Sequence, residues 1–233
     1  MISVILPAYN EEKNIGFVID DISNFFKKII LPYEIIVVND GSKDKTLEVL
    51  NKYKKRENII VVSHIRNLGY GSALRSGFSA AKGDLIFFTD SDRQFEIKDI
   101  VPFLEKINSS EGSGQVDLVI GYRKNRRDSR MRILYAWLFK LACFIFFGVR
   151  VKDIDCAFKL FKKYVISDMK LVSDGALINL EILAKAKKKS YKFIELPVCH
   201  LERKEGKQTG GSSRVIFKAI SQILFLWIEI FLK

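Results

Sequence analysis

A regular alternation of apolar runs and helix-like segments over residues 1–122 constrains the fold more than any other feature of this chain. Five short apolar runs, each typical of a buried strand, occupy residues 2–6, 34–38, 59–63, 85–88 and 117–120. Helix-like stretches lie between them, near residues 12–30, 44–56, 70–82 and 97–108. This order predicts βαβ units, and therefore an α/β layered domain with flanking helices around a mostly parallel central sheet.

Size and composition are consistent with one continuous domain built from two halves, residues 1–128 and 129–233. Hydrophobic residues make up 48% of the chain, which excludes global disorder. The cysteines, Cys143, Cys156 and Cys199, are far apart and contain no CxxC pair, so neither a disulfide framework nor a zinc site is indicated. This cysteine usage favours a reducing compartment, and a cytoplasmic location is predicted. Because the N-terminus runs directly into a strand-like segment, no signal peptide is expected.

The second half combines strong positive charge with two apolar helices. The formal net charge is +12, and arginines and lysines crowd residues 123–132. Residues 133–149 are apolar apart from the internal Lys140, which makes a poor spanning helix but a good interfacial one. Residues 214–233 repeat the amphipathic pattern. The sequence therefore predicts peripheral contact with a membrane, with packing of both helices on the sheet as the alternative.

Two carboxylates follow the fourth strand-like run. Asp90 and Asp92 are spaced i, i+2, so both can turn toward one point beyond the end of the strand. Hard oxygen ligands of this kind suit Mg²⁺ or Mn²⁺, usually shared with phosphates of a substrate. Ligands of open α/β sheets bind at this edge. Alone, an acidic turn is weak evidence for a site.

Polar loops follow the first and second strand-like runs as well. Tyr9 could stack on a nucleobase or ribose, and Asp40 could accept a hydrogen bond from a base. As isolated segments both loops are also ordinary turns, in which Ser42 and Asp44 would merely cap the next helix. Because parallel strands place all three loops at one edge of the sheet, a shared pocket is predicted.

A set of motifs follows in order along the chain: Pro7-Ala8-Tyr9-Asn10-Glu11; Asp40-Gly41-Ser42 with Asp44; Asn67-Leu68-Gly69 with Gly71 and Ala73; Asp90-Ser91-Asp92 with Gln94; Gly121-Tyr122-Arg123; Val151-Lys152-Asp153; Cys156-Ala157-Phe158-Lys159; Glu195-Leu196-Pro197-Val198; and Arg203 with Gly206. Together these motifs resemble the family 2 glycosyltransferases of GT-A fold, in particular the polyprenyl-phosphate sugar synthases. The resemblance covers almost the whole chain.

The resemblance implies a role for particular positions. Nucleoside contacts would come from Pro7, Tyr9, Glu11, Val38 and Asp40. Asp90, Asp92 and Gln94 would bind the metal and the diphosphate, and Ser91 would contact the nucleotide sugar. Arg123 and Arg203 would meet phosphates, with Arg127 or Arg130 near the acceptor. The chain departs from the family pattern at Asn39, Ala157 and Arg93. Arg93 lies in the metal loop and is expected to alter contacts to the sugar or diphosphate.

The reaction implied is an inverting transfer of a sugar from a nucleoside diphosphate to a polyprenyl phosphate, with Asp92, Asp153 and Arg123 as the catalytic residues. A phosphate monoester has its second pKa near ~6, so the acceptor is ionised and needs cations more than a general base. Asp153 is the candidate base that a hydroxyl acceptor on a glycan or glycolipid would require. With a phosphate acceptor, Asp153 would only orient a cation.

Two other classes of function compete with the enzyme. A non-catalytic membrane- or nucleic-acid-binding α/β domain would explain the charge but not the carboxylate pair, and no nucleic acid partner is predicted. A dehydrogenase is disfavoured because no GxGxxG follows the first strand. His64 and His200 have no evident carboxylate partner and are expected to be structural.

Overall fold

The computed structural model describes residues 1–109, 115–124, 130–202 and 213–232; within these, side chains are described outside 130–136 and 213–221. Seven strands form one sheet: β1 (Ile2–Ala8), β2 (Tyr33–Asn39), β3 (Ile59–Ser63), β4 (Leu85–Thr89), β5 (Leu118–Arg123), β6 (Phe158–Lys162) and β7 (Phe193–Val198). The helices are α1 (Ile15–Lys28), α2 (Thr46–Asn51), α3 (Tyr70–Ala80), α4 (Val101–Asn108, after a 3₁₀ turn Ile97–Ile100), α5 (Arg130–Phe147), α6 (Lys163–Ser167), α7 (Ile178–Lys188) and α8 (Ser213–Phe231).

The strand order is β3-β2-β1-β4-β6-β5-β7. The pairs β1–β2, β1–β4, β2–β3 and β5–β7 are parallel, whereas β6 runs antiparallel to both β4 and β5. The predicted mostly parallel α/β sheet with flanking helices is therefore confirmed. Strands from both sides of residue 129 share this sheet.

Both faces of the sheet are covered, which explains the continuous apolar runs of the strands. On one face α1, α2 and α4 pack over Val4, Leu6 and Phe87. On the other face α3, α5, α7 and α8 pack over Ile5 and Phe88. Neighbouring residues of one strand thus enter different cores, and most strand positions carry an apolar residue.

The two long apolar helices each use one face for packing and expose the other. In α5, Cys143 and Phe147 are buried in the core, and in α8, Ile223, Leu226 and Ile230 are buried. The exposed apolar side chains include Trp137, Phe144, Ile145, Leu224 and Phe225. Among the described helices, none is both long enough and apolar enough to cross a membrane.

Candidate active site

The loops after β1, β2 and β4 are joined into one rim at the carboxyl edge of the sheet. Ser91 Oγ donates to the carbonyl oxygen of Pro7 at 2.6 Å, which ties the loop after β4 to the loop after β1. Asn10 N donates to Ser42 Oγ at 3.0 Å, and Lys43 N donates to Asn10 Oδ1 at 2.8 Å. The three loops therefore meet as the sequence predicted, and each is positioned by another.

The carboxylate pair lies directly beyond the last residue of β4. Asp92 is buried, at 8% exposure, and its Oδ1 accepts a hydrogen bond from Gln94 N at 3.1 Å. Burial, and next the charge of Asp92, raise the pKa of Asp90 to about 7. Two carboxylates that repel each other in a partly dry site form a suitable oxygen ligand set for a divalent cation, which would neutralise both.

Gln94 links the loop after β4 to the segment after β7. Its Nε2 donates to Leu201 O at 3.0 Å, and Leu201 N donates to Gln94 O at 2.8 Å. Its carboxamide oxygen is the atom that could serve as a metal ligand.

The titration of Asp90 has a consequence for stability that can be measured without a metal. The ordinary pKa of the aspartate is 3.8, and in the folded protein the pKa of Asp90 is about 7. Between these two pH values the folded, metal-free protein retains a proton on Asp90 that the unfolded chain has released. Stability therefore falls as the pH rises through this window. We expect the melting temperature in EDTA to fall more steeply with pH for the wild type than for Asp90→Asn. Equal slopes in the two proteins would contradict this assignment.

Asp40 is held by the loop between β3 and α3. Its Oδ1 accepts from Leu68 N at 2.9 Å and its Oδ2 from Gly69 N at 2.9 Å. His64 Nδ1 lies 2.7 Å from Asp40 Oδ1, and His64 Nε2 lies 2.9 Å from Ser76 Oγ. His64 thus has the carboxylate partner that the sequence did not reveal. The Asn67-Leu68-Gly69 motif supplies amides that fix Asp40.

Gly41 allows the loop after β2 to pack closely against the backbone of the loop between β3 and α3. Its φ is +65°, and a Cβ there would lie 2.2 Å from Arg66 C and 2.5 Å from Asn67 N. Only glycine combines that backbone conformation with this contact.

The other nucleoside-site candidates differ in accessibility. Tyr9 is 37% exposed at the rim, and Pro7 is half-buried beside it. Glu11 is mostly buried, and its Oε2 accepts from Asn14 Nδ2 at 2.7 Å. Val38 is fully buried in the core. Its side chain does not line the rim, so of these candidates Tyr9 has the most freely accessible side chain.

Arg123 and Asp153 form a bidentate ion pair at the end of β5. Arg123 Nε donates to Asp153 Oδ2 at 2.7 Å, and Arg123 Nη2 donates to Oδ1 at 2.9 Å. Burial lowers the pKa of Arg123, but the hydrogen bonds and charge of Asp153 outweigh burial and raise it. The guanidinium is thereby oriented near Asp90, whose pKa it lowers.

Lys159 is a site residue that sequence reasoning did not assign. It is fully buried on β6, and its Nζ donates to Ile154 O at 3.1 Å, to Asn179 Oδ1 at 2.8 Å and to Cys156 O. Burial lowers the pKa of Lys159, and its charge lowers the pKa of Asp90. The available signal was the strand-like alternation of residues 158–162, which places Lys159 on the same face as the buried Phe161.

The Arg93 side chain lies against α1. Its guanidinium lies 4.5 Å from the centre of the Phe17 ring, and its φ is +64°. Both residues line a cavity of 670 Å³ between α1 and the loop after β4. Asp90 lines the same cavity, and the expected contact of Arg93 with sugar or diphosphate stays a prediction.

The proposed phosphate ligands could be placed only in part. Arg127 and Arg203, with Gly206, lie outside the described residues. Arg130 begins α5, and its side chain also lies outside the description.

Paired carboxylates beyond a central strand of an α/β sheet are the arrangement expected of a glycosyltransferase of GT-A fold. Residues 3–169 match the family described as Glycosyl transferase family 2. The chain belongs to this family.

Curated relatives include a dodecaprenyl-phosphate galacturonate synthase of Rhizobium johnstonii, 29% identical over 97% of this chain and 67% of the relative. A dolichyl-phosphate beta-glucosyltransferase of Trichomonas vaginalis is 32% identical over 84% of this chain and 64% of the relative. An undecaprenyl-phosphate 4-deoxy-4-formamido-L-arabinose transferase of Pectobacterium atrosepticum is 32% identical over 88% of this chain and 61% of the relative. The chain thus spans about two thirds of the length of these relatives.

Solved structures confirm the fold. Glucosyl-3-phosphoglycerate synthase from Mycobacterium tuberculosis, crystallised with Mn²⁺, UDP and phosphoglyceric acid, aligns with a TM-score of 0.74. Its identity is 23%, over 97% of this chain and 78% of that one. Mannosyl-3-phosphoglycerate synthase from Rubrobacter xylanophilus aligns with a TM-score of 0.75 at 18% identity, over 98% and 74% of the two chains.

Proposed function

We propose that the protein transfers a sugar, with inversion, from a nucleoside-diphosphate sugar to a polyprenyl phosphate at a membrane surface. The observation that carries this proposal is the carboxylate pair Asp90 and Asp92 at the rim formed by the loops after β1, β2 and β4. The names of the curated relatives support the acceptor class.

The rim residues divide the work of binding the donor. Tyr9 stacks on the nucleoside, Asp40 shapes the loop beneath it, and Asp90 and Asp92, with Gln94, would hold Mg²⁺ or Mn²⁺. When bound, the ion supplies charge stabilisation for the departing diphosphate. Arg123 adds a fixed positive charge beside it, preorganised by Asp153.

The Arg123–Asp153 pair favours a phosphate acceptor over a hydroxyl acceptor. A carboxylate that accepts two hydrogen bonds from a guanidinium is a weak proton acceptor, because its charged form is stabilised. A hydroxyl acceptor needs a base, whereas an ionised phosphate needs cations. Asp153 is then a positioning residue for Arg123, and Arg127, Arg130 and Arg203 would supply further cations for the phosphates of donor and acceptor.

The exposed faces of α5 and α8 support contact with a membrane. Trp137 at 57%, Ile145 at 67% and Phe225 at 61% exposure are large apolar side chains that neither helix packs away. The basic residues of 123–132 directly precede the apolar part of α5. Apolar residues flanked by cations fit an anionic bilayer surface. We place the enzyme at the cytoplasmic face, where its free cysteines would stay reduced.

Transfer into lipid tests the function. We expect protein incubated with Mn²⁺ and radiolabelled UDP-, GDP- or dTDP-sugars to label vesicles that contain polyprenyl phosphate. The product should release its sugar in mild acid, and vesicles without the phosphate should stay unlabelled. Labelling of only hydroxyl acceptors would overturn the acceptor assignment. Transfer that persists in EDTA would overturn the proposal that the reaction requires a divalent metal ion.

A further inference from the structure

Tyr70 is the first residue of α3, and it lies between two glycines that pack closely against another segment of the chain. A Cβ at Gly69 would lie 2.4 Å from Asp174 O, and one at Gly71 would lie 2.2 Å from Ser173 O. Gly71 N donates to Asp174 O at 2.7 Å. The segment 173–174 therefore packs closely against the start of α3, which sets the position from which the Tyr70 side chain extends.

The Tyr70 hydroxyl is buried and, among the described residues, makes no hydrogen bond of ordinary length and angle. It lies beside the Asp90 carboxyl, with the Cys156 thiol and then Asp92 as the next groups that act on it. A buried hydroxyl without a well-formed hydrogen bond costs free energy of folding. We therefore expect a nearby acceptor to move into hydrogen-bonding position when the site is occupied. A phenol has an ordinary pKa near ~10, so at neutral pH this group is a hydrogen-bond donor.

We propose that Tyr70 is a positioning residue of the metal site, whose hydroxyl donates a hydrogen bond to the Asp90 carboxylate when a divalent cation is bound. This inference rests on the proposed function, because it requires the ion at Asp90 and Asp92. Hydrogen bonds to charged acceptors are shorter and stronger than those between neutral groups. The bond would fix the rotamer of Asp90 and leave its other oxygen to the ion.

Manganese binding by the Tyr70→Phe variant tests the inference. Electron paramagnetic resonance of free Mn²⁺ gives the affinity, with UDP, GDP and dTDP added in turn. We expect the variant to bind Mn²⁺ about tenfold more weakly than the wild type, as for the loss of one charge-assisted hydrogen bond. Its melting temperature in EDTA should be unchanged or higher, because only a poorly bonded hydroxyl is lost.

Tyr33→Phe is the matched control. The Tyr33 hydroxyl is half-buried, donates to Ser23 O at 3.3 Å and stands at the opposite end of β2 from Asp40. This variant should bind Mn²⁺ as the wild type does. Wild-type affinity in Tyr70→Phe would overturn the inference alone, whether or not the melting temperature falls. A wild-type protein that binds no Mn²⁺ with any of the nucleotides would overturn the metal site and the inference together.

Discussion

Replacement of Asp92 by asparagine is expected to lower metal-dependent sugar transfer by about a thousandfold while the protein stays folded. Asparagine keeps the size of the side chain and an oxygen that can accept from Gln94 N, so the loop after β4 retains its bond. What is lost is one of the two negative charges that would hold the ion. The initial rate of transfer, measured at saturating Mn²⁺ and donor, gives the effect.

The fold of the Asp92→Asn variant is expected to be at least as stable as the wild type near pH 7. The charge of Asp92 raises the pKa of Asp90, so its removal relieves repulsion in a partly buried pair. Asp84→Asn is the control for loss of one carboxylate near β4, and it should keep wild-type transfer. The Asp84 side chain is 89% exposed and lies just before β4, at the opposite end of the strand from Asp92. An Asp92→Asn protein with wild-type transfer would contradict the metal assignment.

The sequence predicted five of the seven strands, those that alternate with helices in the first part of the chain. Strands β1 to β5 carry apolar residues at nearly every position because both of their faces are buried, and this signal is local. Strand β6 was missed because it contains Lys159 and Lys162 and inserts antiparallel between β4 and β5. Strand β7 was missed because it lies at the sheet edge, where Pro197 is tolerated.

In the candidate site too, the sequence predicted the residues that one local segment contains and missed the contacts between distant segments. Asp90 and Asp92 were predicted because both follow one strand end, which a single stretch of sequence reveals. The partners of Asp40 lie 24 to 29 residues away on the loop after β3, and Arg123 and Asp153 are 30 residues apart. Such pairs depend on how loops close over the sheet, and no local pattern encodes that.

Loss of the Arg123 guanidinium is expected to affect both stability and transfer. The Arg123 and Asp153 side chains are 15% and 6% exposed, so Arg123→Met leaves a buried carboxylate without its guanidinium. We expect a loss of about 3–5 kcal/mol in the free energy of unfolding, as for other broken buried ion pairs. Transfer should fall by about a hundredfold, since under the proposed function the guanidinium would also be a fixed charge beside the diphosphate.

A surface pair provides the control for this prediction. Arg56 and Asp20 are also joined at 2.8 Å, but their side chains are 47% and 48% exposed, so Arg56→Met should cost less than about 1 kcal/mol. Denaturant unfolding of both variants measures the difference.

Adding Asp153→Asn to Arg123→Met separates the charge from the packing. The double variant should regain part of the lost stability, because the buried charge is removed, but should regain no transfer. Asp153→Asn alone should retain more activity than Arg123→Met if Asp153 only orients the guanidinium. Complete loss of transfer in Asp153→Asn, with Arg123 in place and the fold intact, would instead make Asp153 the catalytic base and restore the hydroxyl acceptor.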